Sequence, residues 1–104
     1  MAKTSPTQRS LKILRDEGYL CAIVEHWNPF ARIRQDLYGF VDILAIKGKE
    51  TLAVQTTTLA NQGARIEKIN ESKNYPIVKK AGWKIVVHGW RKLKTGWECK
   101  ITKL

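Results

Sequence analysis

The chain has 104 residues, 43% of them apolar and 27% charged; that allows one domain with one core and excludes two, since independent domains usually run to about 100–150 residues. No apolar run approaches the roughly 18–20 residues that a membrane helix needs, and a basic amphipathic helix or lipidation motif for a membrane surface is lacking too. Lys and Arg number 19 against 9 Asp and Glu, a net charge of +10, and such an excess attracts polyanions by counterion release and long-range steering, so nucleic acid is the expected partner.

The N-terminus, MAKTSPTQRSLK, is polar and basic without the apolar segment or cleavage site of a secretory signal, and the expected location is intracellular, in the cytoplasm. A helix is predicted over about 7–17, with Leu11, Ile13 and Leu14 as a partial apolar stripe, Ser5 or Thr7 as N-cap and Pro6 in the first turn. Residues 19–25 are β-branched and aromatic and read as a strand. The following Trp27-Asn28-Pro29-Phe30 reads as a loop, because Pro29 cannot donate to a ladder. Residues 40–46 and 51–57 are apolar segments separated by Lys47-Gly48-Lys49-Glu50, a hairpin signature. Both faces of each are apolar, which predicts a central sheet covered on both sides.

A helical pattern over 60–72 places Ala64, Ile66 and Ile69 on one side. A second short helix is predicted from near Pro76 to Gly82, with Asn74 as cap, Ile77 and Val78 inward and Lys79 and Lys80 at its C-terminal end. Strands over 83–90 and 97–104 flank a basic turn over 91–96. The order predicts a single α/β domain over 1–104, a central mixed sheet flanked by helices with an extra C-terminal strand. Cys21 and Cys99 have no metal-ligand spacing, which excludes a zinc finger; they read as buried reduced thiols. His26 and His88 lack ligand spacing as well.

One inference is geometric. A turn centred on Gly48 and Lys49 sets Asp42 directly across from Gln55, with Cβ atoms about 4.5–5.5 Å apart. Thr57 shares the face of Gln55, while Val54 and Thr56 point to the other. An acid inside an apolar strand is unfavourable unless it is paired or metal-bound. Either an Arg or a backbone donor answers Asp42, or it joins Gln55 and Thr57 in an oxygen-ligand set that suits a hard cation such as Mg²⁺.

Gly39-Phe40-Val41-Asp42-Ile43-Leu44-Ala45, a turn, and Leu52-Ala53-Val54-Gln55-Thr56-Thr57 resemble the G-x-x-D … (D/E/Q)-x-K core of PD-(D/E)XK nucleases, especially the small Holliday-junction resolvase and VRR-type branches often encoded by phages. The element order from the first helix to Trp90 is similar to that superfamily's α-β-β-β-α-β core. The resemblance implies a restriction-endonuclease-like fold and a Mg²⁺- or Mn²⁺-dependent deoxyribonuclease acting on DNA, branched DNA included. It also implies a homodimer as an available assembly and, for a phage-encoded chain, the host cytoplasm. The chain departs from the pattern in three places: Thr57 stands in the lysine position, Gln55 replaces the usual acid, and Thr7 falls where resolvases carry a first-helix glutamate.

On this reading Asp42 and Asp36 hold the metal, and Gln55 supplies it with an amide oxygen or positions water. The charge of the missing lysine comes from Arg65 or Lys68 on the following helix. The second acid is Asp36, on the approach to Asp42, with Glu25 at the end of the first strand as the other choice. Arg32, Arg34, Arg65, Lys68, Arg91, Lys92 and Lys94 are candidates for phosphate contacts. Trp27, Phe30 and Tyr38 interleave with the first of them in a way that suits stacking on unpaired bases, although each ring taken singly reads as core, as do Trp83 and Trp97. Two rival readings are a nucleic-acid-binding protein that kept the fold and lost the lysine, with RNA as well as DNA as ligand, and a ribosomal-type RNA-binding protein. The latter accounts for the charge but not for Asp42 opposite Gln55.

Overall fold

The computed structural model describes residues 5–104; Met1–Thr4, the start of the basic N-terminus, lie outside the described residues. Helix α1 (Pro6–Asp16) begins at Ser5, whose Oγ accepts the Gln8 N–H at 3.2 Å, with Pro6 in the first turn where its missing donor is not needed. Ser5 is therefore the cap, which leaves Thr7 free. Then follow β1 (Leu20–Ile23), β2 (His26–Asn28), β3 (Ile33–Gln35), β4 (Ile43–Lys47), β5 (Glu50–Thr58), α2 (Leu59–Glu71), α3 (Tyr75–Lys80), β6 (Lys84–Leu93) and β7 (Gly96–Lys103).

The protein is α/β, with three helices and a five-stranded mixed sheet in the order β1-β4-β5-β6-β7. Only β5 and β6 pair in parallel, which requires a crossover, and α2 and α3 supply it. The β4–β5 hairpin pairs Ile43 with Val54 and Lys47 with Glu50, the register that sets Asp42 beside Gln55. Both sheet faces are covered, as the two-sided apolar strands predict. Leu11 and Leu14 of α1 pack on Ile43, Ala45, Leu52, Val54 and Val86. Ile69 of α2 and Val78 of α3 pack on the opposite face against Val41, Ala53, Ile85 and Val87. Burying each such aliphatic side chain is worth about 1.5–3 kcal/mol.

Several expectations are corrected. The segment read as a loop around Trp27 is a separate two-stranded ribbon, β2 against β3; Pro29 lies in its turn, where it interrupts no ladder bond. The basic turn over 91–96 shrinks to Lys94-Thr95, because β6 stays paired with β7 as far as Leu93 opposite Gly96. Ile77 is exposed rather than inward, Ala64 is exposed, and both cysteines are free and half-buried rather than buried. Trp97 is exposed on its outer side and carries the Arg9 guanidinium 3.7 Å from its ring centroid. Trp27, Phe30 and Tyr38 are exposed and outside both cores.

Candidate functional site

Asp42 stands one residue before β4, just after an isolated bridge between Leu37 and Val41. The strand's regular alternation begins only beyond it, and its side chain turns over the end of the sheet. It is 2% exposed. Three donors converge on its Oδ2: Gln55 Nε2 at 2.6 Å, the Thr56 backbone N–H at 2.8 Å and Thr56 Oγ at 3.3 Å. Thr56 is tied in turn to α1, through a hydroxyl contact of 2.9 Å with Thr7.

Thr7 also donates to Glu25 Oε1 at 3.3 Å, and Arg34 Nη1 pairs with the same oxygen at 3.0 Å. Asp36 completes the group. One carboxylate oxygen each of Glu25, Asp36 and Asp42 lie within 4.8 Å of one another. The chain brings them together from three places: the residue before β2, the residue after β3 and the residue before β4. Glu25 and Asp36 are thus not alternatives; both belong.

The carboxylates lie in a cleft of about 320 Å³ that Thr7, Gln55, Thr56, Arg34, Arg65 and Lys68 also line. Burial pushes the Asp42 carboxyl up to about 8; the neighbouring Asp36 and Glu25 carboxyls add to the rise and the Thr56 amide opposes it. Three acids so close hold a proton at neutral pH or a cation in its place.

The donor set fits a hard divalent cation. All three groups are oxygen donors, and on Glu25 and Asp42 the protein's own hydrogen bonds end on Oε1 and Oδ2 alone, leaving the second oxygen of each without a donor among the described residues. Oxygens on one octahedral Mg²⁺ stand about 3 Å apart when cis and about 4.2 Å when trans, so the three side chains would draw inward to close on an ion.

Of the residues singled out from sequence, Asp36, Asp42, Gln55, Arg34, Arg65 and Lys68 meet in the cleft. Thr57 does not: it is buried on the α2 side of β5, and Thr56 makes the contact instead. The reason is the turn of Asp42 over the sheet end, which carries its carboxylate to the α1 side, where Thr56 projects. Gln55 faces Asp42 with its N–H rather than its carbonyl oxygen, so it holds the carboxylate in place instead of serving as a ligand. Arg32 sits in the ribbon turn, and Arg91, Lys92 and Lys94 on the β6–β7 hairpin; none of the four lines the cleft. Arg91 pairs with Glu98 at 2.7 Å.

Thr56 is the contributor that sequence reasoning missed, and Thr7 entered it only as an N-cap choice and as the residue standing where resolvases carry a glutamate. The signal was the run Thr56-Thr57-Thr58 closing an apolar strand. Among the described residues no helix is long and apolar enough to cross a membrane. Comparison with protein-family models, with curated proteins and with solved structures gives no match.

Proposed function

We propose that this chain is a metal-dependent nuclease-like protein that acts on DNA phosphodiester bonds, branched DNA among its substrates, on a restriction-endonuclease-like fold of the PD-(D/E)XK kind. The observation that carries the reading is the cluster of Glu25, Asp36 and Asp42 carboxylates in a cleft rimmed by Arg34, Arg65 and Lys68. The helix, three sheet strands in the order β1-β4-β5, crossover helices and parallel β6 support it as well.

A bound Mg²⁺ or Mn²⁺ would supply an activated water and a Lewis acid for the scissile phosphate. The chain's own residues do the positioning. Gln55 and Thr56 fix one oxygen of Asp42 and leave the other toward the cleft; Thr7 and Arg34 do the same for Glu25. Arg65 and Lys68, one helical turn apart on α2, bring positive charge to the phosphate that the cleft admits, in place of the motif's lysine.

The test is cleavage of labelled linear, branched and single-stranded DNA, and of RNA, with Mg²⁺ or Mn²⁺, comparing the protein with Asp42→Ala and measuring binding alongside. Metal-dependent cutting that is lost in the variant while binding persists is the expected result. A second reading rests on Thr57, which occupies the motif's lysine position outside the cleft: a nucleic-acid-binding protein without catalysis. Binding with no cutting under either metal would establish that one.

A further inference from the structure

We infer that the β2–β3 ribbon is a base-stacking arm, and that the cleft at its foot receives an unpaired stretch of nucleic acid rather than intact duplex. The inference deepens the nucleic-acid reading above and rests on it for the class of ligand. The two acids Glu25 and Asp36 stand immediately before β2 and after β3, so the ribbon rises directly from the carboxylate cluster. Nearly all of it is in solvent. Phe30 is 97% exposed and Trp27 58%.

These rings are held out, not left loose. Asn28 Oδ1 accepts the N–H groups of Phe30 at 3.0 Å and Ala31 at 3.2 Å, and its Nδ2 donates to Gln35 across the ribbon at 3.3 Å. Arg32 closes the turn at φ 54°, a conformation that few residues other than glycine adopt. Trp27 lies directly opposite Arg34 on one ribbon face, and Arg34 is a wall of the cleft. The aromatic face and the acidic cleft are therefore continuous.

The chemistry of the ribbon selects its ligand. Residues 26–35, HWNPFARIRQ, contain two arginines and no acid, which matches a polyanion. Flat, exposed rings gain most from flat, exposed partners, and a duplex offers its base faces already stacked on one another. An unpaired strand offers both phosphates for Arg32 and Arg34 and free base faces for Trp27 and Phe30. A groove of about 600 Å³ lined by His26, Arg34, Tyr38 and Lys68 adjoins the cleft and extends this track. A flat bilayer cannot follow a ribbon into a concave cleft.

The experiment is binding of labelled oligothymidine and of a duplex of equal length in EDTA, so that no cutting intervenes. Trp27→Ala and Phe30→Ala are each expected to weaken oligothymidine binding about tenfold and to leave duplex binding unchanged. Phe30→Tyr retains binding while Phe30→Leu, equally apolar, does not. Far-UV circular dichroism verifies the fold, which the ribbon does not support, because its rings lie outside both cores.

Equal losses on both ligands, or none on oligothymidine, would overturn the inference. So would rings needed instead for binding phosphatidylglycerol vesicles or for self-association. The two readings fail separately. Ring-dependent binding without any cutting removes the nuclease and keeps the arm; Asp42-dependent cutting with neutral rings removes the arm and keeps the nuclease.

Discussion

One buried histidine is expected to take stability away as the pH falls from 6.5 to 4, against the gain that the proton held by Asp42 in the folded chain brings over the same range. His88, on β6, is 2% exposed, and burial pushes its imidazole down from the ordinary 6.5 to about 4. Its Nδ1 lies 2.8 Å from Ser10 Oγ on α1, which also receives the Trp90 indole N–H at 2.9 Å. The Ser10 hydroxyl thus accepts the indole N–H and shares a second hydrogen bond with the His88 ring. In the window from pH 6.5 down to about 4 the unfolded chain binds a proton at this residue that the folded chain refuses, so the contribution of His88 to stability falls as the pH falls. The full effect is about 3 kcal/mol, because lowering a pKa by one is worth about 1.36 kcal/mol, and that is a large share of the roughly 5–15 kcal/mol that holds a domain together. The assay is urea unfolding at a series of pH values for the protein and for His88→Asn, whose amide offers Ser10 both a donor and an acceptor without titrating. The difference between the two curves should open across that window. Parallel curves, or a His88 titration by NMR near 6.5, would refute the reasoning.

Gly89→Ala is expected to lower the melting temperature, because an added Cβ would sit 2.8 Å from both Cδ and Oε1 of Gln62. The Gln62 amide is buried and donates to Val87 O and Lys100 O, so it cannot swing away freely, and overpacking of this kind costs about 1–3 kcal/mol; thermal denaturation measures it. Gln55→Glu would set a fourth carboxylate against Asp42, where the amide now donates at 2.6 Å. The variant should melt below the parent in EDTA and gain more than the parent from added Mn²⁺, while an equal or smaller gain would argue against a cation at this cluster.

What was legible in the sequence followed from periodicity and turn chemistry. The hairpin register came from a single glycine turn, and it holds through every pair from Ile43 opposite Val54 to Lys47 opposite Glu50. The three acids came less directly. Asp42 stood out as a charge in an apolar strand, but Glu25 and Asp36 flank a ribbon that Pro29 disguised as a loop, and only the closing of that ribbon, with His26 paired to Gln35, brings their ends together. Thr57 was misplaced for a related reason. Strand alternation gives the correct face only while both strands are regular, and Asp42 lies one residue outside β4, where its carboxylate can reach the backbone of Thr56. The buried pair His88 and Ser10 left no sequence signal, since each stands far from the other in the chain and neither has a motif.

The charges around the cleft bear on how the Asp42→Ala experiment can be read. Three carboxylates that share a proton at neutral pH face three cations, Arg34, Arg65 and Lys68, so the site carries little charge of its own and contributes little to the net charge of +10. The excess positive charge lies elsewhere, on Lys79 and Lys80 at the end of α3 and along the β6–β7 hairpin with Lys92 and Lys94. Long-range attraction to phosphates therefore originates outside the carboxylate cluster. Because the cluster already holds a proton at neutral pH, removing Asp42 leaves the charge of the metal-free cleft little changed, so Asp42→Ala should bind DNA in EDTA about as well as the parent, and a loss of cutting in that variant separates chemistry from affinity.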